Sequence, residues 1–359
     1  MSHVLGVSGA VPGRAYPQHE ITAAVADMVL GAEPPGSAKR RLLEQVHASA
    51  GVRTRHLALP LAEYAGLTGF GAANDVFIEV GLALGRQAIE QALRSAGLAP
   101  TDVDLLVTTT VTGVAAPSLD ARLVGPLGLR DDVKRVPMFG LGCVAGAAGI
   151  ARLHDQLRGD PDGVAVLLSV ELCSLTVQRG DVSAANLVGS ALFGDGAAAV
   201  VLVGDRRAAA MGVDRSTPRV VATRSRLYPD SERVMGWDIG GTGFRLVLAA
   251  TVADLVDKYL ADDVELFLAG HGLQTRDVAT WVAHPGGPKV IEAIERALDL
   301  PSGALDVTRR SLAEVGNLSS SSVLHVLQRT LREHPPGDRR PAVLLAMGPG
   351  FCSELVLLE

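Results

Sequence analysis

With 359 residues, 48% of them hydrophobic, the chain has enough apolar mass for one large domain or two fused ones. Aromatic residues make up only 4% and the net charge is −6, which argues against a nucleic-acid platform. Cys143, Cys173 and Cys352 are odd in number, far apart and not in CxxC spacing, so neither a disulfide framework nor a zinc site is expected. No basic leader precedes a long apolar run, and no stretch of about 18 apolar residues could span a bilayer. The expectation is a soluble, cytoplasmic protein without stable membrane insertion.

Residues 4–11 read as a first strand, closed by Pro12-Gly13, and residues 20–30 as a short helix. Ser37 is a predicted N-cap for a basic helix that opens with Lys39, Arg40 and Arg41, and Arg53 and Arg55 lie just beyond it. This basic cluster reads either as a solvated helix face or as a dock for an anionic cofactor tail. Between residues 75 and 96, Val76, Val80, Leu84, Ala88 and Leu93 recur at helical spacing and predict a long amphipathic helix. A strand at 104–110 follows. The apolar run 133–139 then leads into Gly140-Leu141-Gly142-Cys143-Val144-Ala145-Gly146 and on into a helix. A strand, a glycine turn carrying a reactive side chain and a helix make the layout of a nucleophile elbow. Small neighbours permit a sharp turn and access to the sulfur, and a helix N-terminus favours the thiolate. The plainer reading is a buried cysteine in a glycine-rich turn. Further strands are predicted at 163–170 and 197–203, the second after Gly194-Asp195-Gly196.

An internal echo follows. Gly272-Leu273 through Asp277-Val278 matches Gly97-Leu98 through Asp102-Val103 at an offset of 175 (272 − 97). Ala342-Val343-Leu344-Leu345 repeats Ala165-Val166-Leu167-Leu168 at an offset of 177 (342 − 165). The same order at nearly the same offset implies a duplication. Two similar α/β halves are expected, at 1–204 and 218–359, with their sheets sandwiching central helices. The first half carries Cys143; in the second, the repeated strand runs straight into His284-Pro285-Gly286-Gly287. Pseudo-twofold symmetry would bring the two together.

Alone, His284 reads as a hydrogen-bonded structural residue, Asn317 as a helix N-cap, and Gly348-Pro349-Gly350 as a turn. Together they form glycine-flanked positions at element ends, the pattern of an active site assembled from loops. Five stretches carry a resemblance: Gly142-Cys143-Val144-Ala145-Gly146, Leu192-Phe193-Gly194-Asp195-Gly196-Ala197, His284-Pro285-Gly286-Gly287-Pro288, Gly316-Asn317-Leu318-Ser319-Ser320 and Gly348-Pro349-Gly350. In this order, over nearly the whole chain, they resemble the type III polyketide synthases of the chalcone/stilbene synthase family.

That resemblance implies a thiolase-like, duplicated αβαβα layered fold with two similar halves. It implies Cys143, His284 and Asn317 as a catalytic triad, and Phe193 and Phe244 as the gate between a coenzyme A tunnel and the reaction cavity. A Cys143 thiolate paired with the His284 imidazolium would take the acyl group from acyl-CoA. Malonyl-CoA would then lose CO₂, with His284 and Asn317 holding the enolate oxygen, and condensation would repeat. A homodimer is implied, with no metal and no cofactor beyond the coenzyme A thioesters. Lys39, Arg40, Arg41, Arg53 and Arg55 are expected at the coenzyme A phosphates. Val111, Thr112, Cys173, Thr176 and Ser319 are expected on the cavity wall, with Gly236 and Trp237 beside them, and Gly348, Pro349 and Gly350 as a scaffold loop. Val111 stands where bacterial tetrahydroxynaphthalene synthases usually carry cysteine, which points away from that product. The stretches Arg53-Thr54-Arg55-His56-Leu57 and Gly69-Phe70-Gly71-Ala72-Ala73-Asn74-Asp75 look like enzymes that make alkylresorcinols and alkylpyrones, so a fatty acyl starter is expected. The alternatives are a single condensation, as in ketoacyl-carrier-protein synthase III, and thioester hydrolysis by the same cysteine.

Overall fold

The computed structural model describes residues 1–31, 33–333 and 340–359. Nine strands among them form one mixed sheet. They are β1 (Ser2–Ala10), β2 (Leu105–Thr110), β3 (Lys134–Phe139), β4 (Val164–Leu172), β5 (Asp195–Gly204), β6 (Arg219–Leu227), β7 (Thr280–Ala283), β8 (Ala342–Gly348) and β9 (Cys352–Leu358). Their order across the sheet is β7-β8-β9-β6-β1-β5-β4-β2-β3. The pairing scheme occurs twice. β2 runs parallel to β4, β4 antiparallel to β5, and β5 antiparallel to β1. Likewise β7 runs parallel to β8, β8 antiparallel to β9, and β9 antiparallel to β6. Even the rung is kept: Leu105 faces Ala165, and Thr280, 175 positions later (280 − 105), faces Ala342. The two units meet where β1 touches β6 over the short ladder Ser2↔Val220 and His3↔Arg219.

The principal helices are α1 (Gln18–Leu30), α2 (Ala38–Ala48), α3 (Phe70–Ala96), α4 (Ala145–Gly159), α5 (Ala184–Leu192), α6 (Val252–Ala269), α7 (Pro288–Ala297) and α8 (Ser322–Glu333). Strand periodicity decides which layer each meets, because successive side chains point to opposite faces. On β4, Ala165 and Leu167 face inward with Ile150 and Leu153 of α4 and Leu324 and Leu327 of α8. Val166 and Leu168 face outward, against Ala88, Ile89 and Ala92 of α3. In the second unit, Leu344 and Ala346 of β8 join the inner cluster. Val343 and Leu345 meet Val256 and Leu260 of α6 and Ile291 and Ile294 of α7. The result is five layers, helix–sheet–helix–sheet–helix, with α4 and α8 in the middle. Each fully buried aliphatic side chain contributes roughly 1.5–3 kcal/mol, and both faces of β4 and β5 are buried along their whole length. That is why these strands read as unbroken apolar runs.

Two expectations change. The long helix starts at Phe70, not at 75, because its first turn lacks the apolar spacing that marks the rest. The apolar run at 133–139 becomes an edge strand, with Val136 46% and Phe139 49% exposed. Pro137, which cannot donate to a ladder, is tolerated there for that reason.

Candidate active site

The elbow forms as the glycine spacing requires. β3 ends at Phe139, Gly140 and Gly142 take φ of +96° and +57°, and a short 3₁₀ turn over Gly142–Val144 passes into α4. A Cβ on Gly142 would lie 2.5 Å from the Pro349 ring, so the Gly348-Pro349-Gly350 loop seats against the turn. A Cβ on Gly146 would lie 2.4 Å from the Ser320 carbonyl oxygen, which lets α4 approach the loop after Asn317. Cys143 is buried between them, its Sγ 3.7 Å from Ser319 Oγ.

His284 follows the last residue of β7, and its backbone N–H donates to Leu345 O at 2.9 Å. The ring is 5% exposed, and neither ring nitrogen has a partner among the described residues. Asn317 is pinned through its backbone: its N–H donates to Leu192 O at 2.8 Å, and its carbonyl accepts from Gly194 N at 3.0 Å. Phe193 is thereby held beside it. The Asn317 Oδ1 accepts from Ser319 N at 2.8 Å, while Nδ2 makes only a long contact of 3.4 Å to Gly286 O. The amide oxygen is used up by the turn. The amide N–H₂ stays available to a ligand.

Cys143, His284 and Asn317 border one cavity of about 410 Å³, a passage walled by Val188, Phe193, Leu248, Val252 and others. Cys143 and Phe193 also border a smaller chamber of about 30 Å³ with Val111, Thr112, Cys173, Gly236, Trp237, Ser319 and Pro349. The cysteine therefore stands at the junction of passage and chamber. Burial pushes the Cys143 thiol up to about 12, despite its hydrogen bond with Ser319, and pushes the His284 imidazole down to about 3. For the thiol by itself, burial acts against the thiolate that a helix end favours. Each shift is the cost of a lone charge. A thiolate and imidazolium formed together by one proton transfer leave the cavity neutral overall.

Other expected residues fall differently. Phe193 borders both passage and chamber. Phe244 does not: it is buried against Phe70, Trp237 and Phe139, at ring distances of 5.4, 5.9 and 6.2 Å, and borders a neighbouring space with Thr176. Of the scaffold loop only Pro349 reaches the chamber. None of the five expected phosphate cations borders the passage. Lys39 pairs with Glu33 at 2.6 Å, Arg40 with Asp27 at 2.9 Å, and Arg41 with the Gly36 carbonyl. Arg53 is exposed beside Glu314, and Arg55 is buried among protein carbonyls, where no solvent-borne phosphate reaches it. The lysine or arginine among the described lining residues of the passage is instead Lys289, exposed at the start of α7.

Sequence reasoning passed over Met235 and Leu246, which border both spaces from a hairpin, and Glu171. Glu171 is fully buried at the end of β4 and accepts from Val111 N at 3.1 Å, Thr112 Oγ1 at 2.8 Å and Ser320 Oγ. Burial raises its carboxyl above the usual range. Its signal was legible: a lone acid at the end of an otherwise apolar strand has to be satisfied by something.

A duplicated five-layer fold with a cysteine at its central cavity defines a thiolase-like protein. More narrowly, the chain belongs to the chalcone and stilbene synthase family, whose N-terminal domain matches residues 2–206 and whose C-terminal domain matches residues 219–359. It is 57% identical over 359 residues to a 1,3,6,8-tetrahydroxynaphthalene synthase of Streptomyces peucetius subsp. caesius, covering 99% of this chain and 92% of that one. The structure of the 1,3,6,8-tetrahydroxynaphthalene synthase of Streptomyces coelicolor A3(2) superposes with a TM-score of 0.90 at 28% identity, covering 99% and 98% of the two chains. PKS-I of the brown alga Ectocarpus siliculosus gives a TM-score of 0.92 at 26% identity, covering 100% and 98%. The protein is a type III polyketide synthase, a transferase that adds malonyl units by iterative decarboxylative Claisen condensation and uses coenzyme A thioesters without a further cofactor. No helix among the described residues is long and apolar enough to cross a membrane.

Proposed function

We propose that Cys143, His284 and Asn317 are the catalytic triad of a synthase that builds a polyhydroxynaphthalene from malonyl-CoA. The observation that carries the triad is their convergence on one buried cavity, with the His284 nitrogens and the Asn317 amide free to face a ligand. As a thioester arrives, the Cys143 proton passes to His284 and the sulfur attacks the acyl carbon; coenzyme A leaves as its thiol. Malonyl-CoA then enters and loses CO₂. The enolate oxygen accepts from His284 and from Asn317 Nδ2, donors fixed in advance in a dry site. The α-carbon attacks the acyl-Cys143 carbonyl, the C–S bond breaks, and the thiolate is restored with the chain now on coenzyme A. Lys289, on the passage wall, is the proposed partner of the coenzyme A phosphates. The halves 1–204 and 218–359 are proposed as the two units that contribute cysteine on one side and histidine and asparagine on the other.

A polyhydroxynaphthalene product is supported by the 57% identity to the Streptomyces peucetius 1,3,6,8-tetrahydroxynaphthalene synthase along both chains, and a ring system bearing only hydroxyl groups leaves no side chain for a starter other than malonyl-CoA. Val111 pointed away from that product, but one wall side chain changes affinity by only about 1–3 kcal/mol. A fatty acyl starter, giving an alkylresorcinol or alkylpyrone, is the second reading, favoured by the apolar passage wall of Val188, Leu246, Leu248 and Val252. Incubation with malonyl-CoA alone, then with a panel of acyl-CoA starters, separates them by product mass. A naphthalene product from malonyl-CoA alone is expected. Products only when a fatty acyl-CoA is supplied would overturn it. A cytoplasmic homodimer is proposed as the working form, with the uncovered edge of β3 available to a second copy; light scattering on the purified chain tests the dimer.

A further inference from the structure

The chamber beside Cys143 holds about 30 Å³, little more than two waters' worth of room. A chain of several ketide units needs more. Beside the chamber, sharing Cys173 and Phe193 as a common wall, lies an alcove of about 40 Å³. The alcove shares Tyr64, Ser174 and Val177 with a third space of about 160 Å³, and that space shares Thr112 with the chamber. Three small cavities thus adjoin one another, and Phe193 stands between two of them and the passage.

One group bordering the alcove is unusual. Arg55 is 2% exposed. Its Nε donates to Gln18 Oε1 at 3.1 Å, and its Nη1 donates to the carbonyls of Ser190 and Phe193 at 2.7 Å each. Its Nη2 is buried with no partner among the described residues. Leaving a buried donor unsatisfied costs about 1–3 kcal/mol, and more for a charged group. The other polar groups there are occupied: Tyr64 OH meets Ser174 Oγ, and Ser174 N and Oγ donate to Asp195. The Asp195 carboxylate already opposes the guanidinium charge through space. The Nη2 hydrogens therefore suit a neutral oxygen acceptor better than a second carboxylate. A growing poly-β-ketone presents such an oxygen on every second carbon.

We propose that the alcove extends the reaction chamber and that Arg55 Nη2 donates there to a keto oxygen at the distal end of the growing polyketide. Resting on the polyketide-forming reading of the site, this makes Arg55 a length-determining residue of the chain, held in place by Gln18, Ser190 and Phe193. Cys173 is then the wall the chain must pass.

Three variants of the full-length enzyme test it. Arg55→Met keeps the aliphatic stem, which lies over Gly194 and Gly316, and removes the donors. Ala24→Leu and Val177→Leu narrow the alcove from two other walls and leave the bonds of Arg55 to Ser190 and Phe193 in place. Products from malonyl-CoA are separated by mass, and the ratio of longest to shorter products is expressed per malonyl-CoA decarboxylated. Loss of one such donor is expected to lower that ratio about tenfold in Arg55→Met, since 1.4 kcal/mol is a factor of ten. A shift in the same direction is expected in both leucine variants. An unchanged ratio in the folded leucine variants, shown by circular dichroism, overturns the proposal and leaves the alcove a site for water alone. A wild-type enzyme that forms no polyketide from any thioester refutes the underlying reading instead.

Discussion

Replacing His284 by alanine tests the electrostatic account of Cys143 directly. Without an imidazole to receive its proton, the thiol stands alone in a buried site where burial pushes it up to about 12. At pH 8 the thiolate fraction would then be about 10⁻⁴, one factor of ten for each unit between pH and pKa. On the proposed triad reading, proton transfer to His284 is expected to keep the wild-type thiolate largely formed near neutrality, as a nucleophile working near pH 7 requires. A more basic thiolate is intrinsically more nucleophilic, with a Brønsted slope of about 0.4–0.5, which returns about two of the four orders of magnitude. The net expectation is a rate of iodoacetamide alkylation at pH 8 about 100-fold lower in His284→Ala. The variant's rate should climb tenfold per pH unit up to pH 10, while the wild type levels off. Mass spectrometry of the Cys143 peptide distinguishes this thiol from Cys173 and Cys352. Equal rates, or a wild-type profile with the same unbroken slope, would refute the paired-proton account.

Asn317→Ala should lower the rate of malonyl-CoA decarboxylation by roughly 10²–10³-fold, the usual worth of an oxyanion donor, and leave the alkylation of Cys143 as it was. Gly142→Ala places a methyl group 2.5 Å from the Pro349 ring at a φ of +57°; a loss of about 1–3 kcal/mol is expected, read as a lower melting temperature together with lost activity. Lys289→Ala should raise KM for malonyl-CoA about tenfold at low salt, and leave KM unchanged for a malonyl thioester truncated before the phosphates. Stability should fall on acidification below pH 6.5. Burial pushes His47 down to about 3 and His325 to about 4, so the unfolded chain binds protons that the folded one refuses. The loss begins below the ordinary histidine pKa and continues until pH 3 to 4. At about 1.4 kcal/mol per pH unit for each histidine, the slope approaches about 3 kcal/mol per unit for the two, and denaturant unfolding of His325→Gln against the parent should show it reduced.

The amino-acid order alone determined the duplicated α/β halves, the elbow at Cys143 and the motifs at Phe193, His284, Asn317 and Pro349. The reason is local: apolar runs at strand spacing, left-handed glycines and turn residues act within a few positions of themselves. The duplication was legible because its two copies keep the same rung, Leu105 on Ala165 and Thr280 on Ala342. The assignments that needed partners distant in the chain were not legible. Arg55 sits in a basic stretch that reads as phosphate-binding, yet the fold buries it against Ser190 and Phe193, 135 and 138 positions away. Phe244 shares the residue type of a gate but is held by Phe70 and Trp237 outside the passage. Lys289 looks like one more helix-surface lysine until the passage forms beside it. Side-chain chemistry and backbone preference are written residue by residue. Burial, orphaned donors and the division of space between passage, chamber and alcove exist only once segments from both halves enclose Cys143.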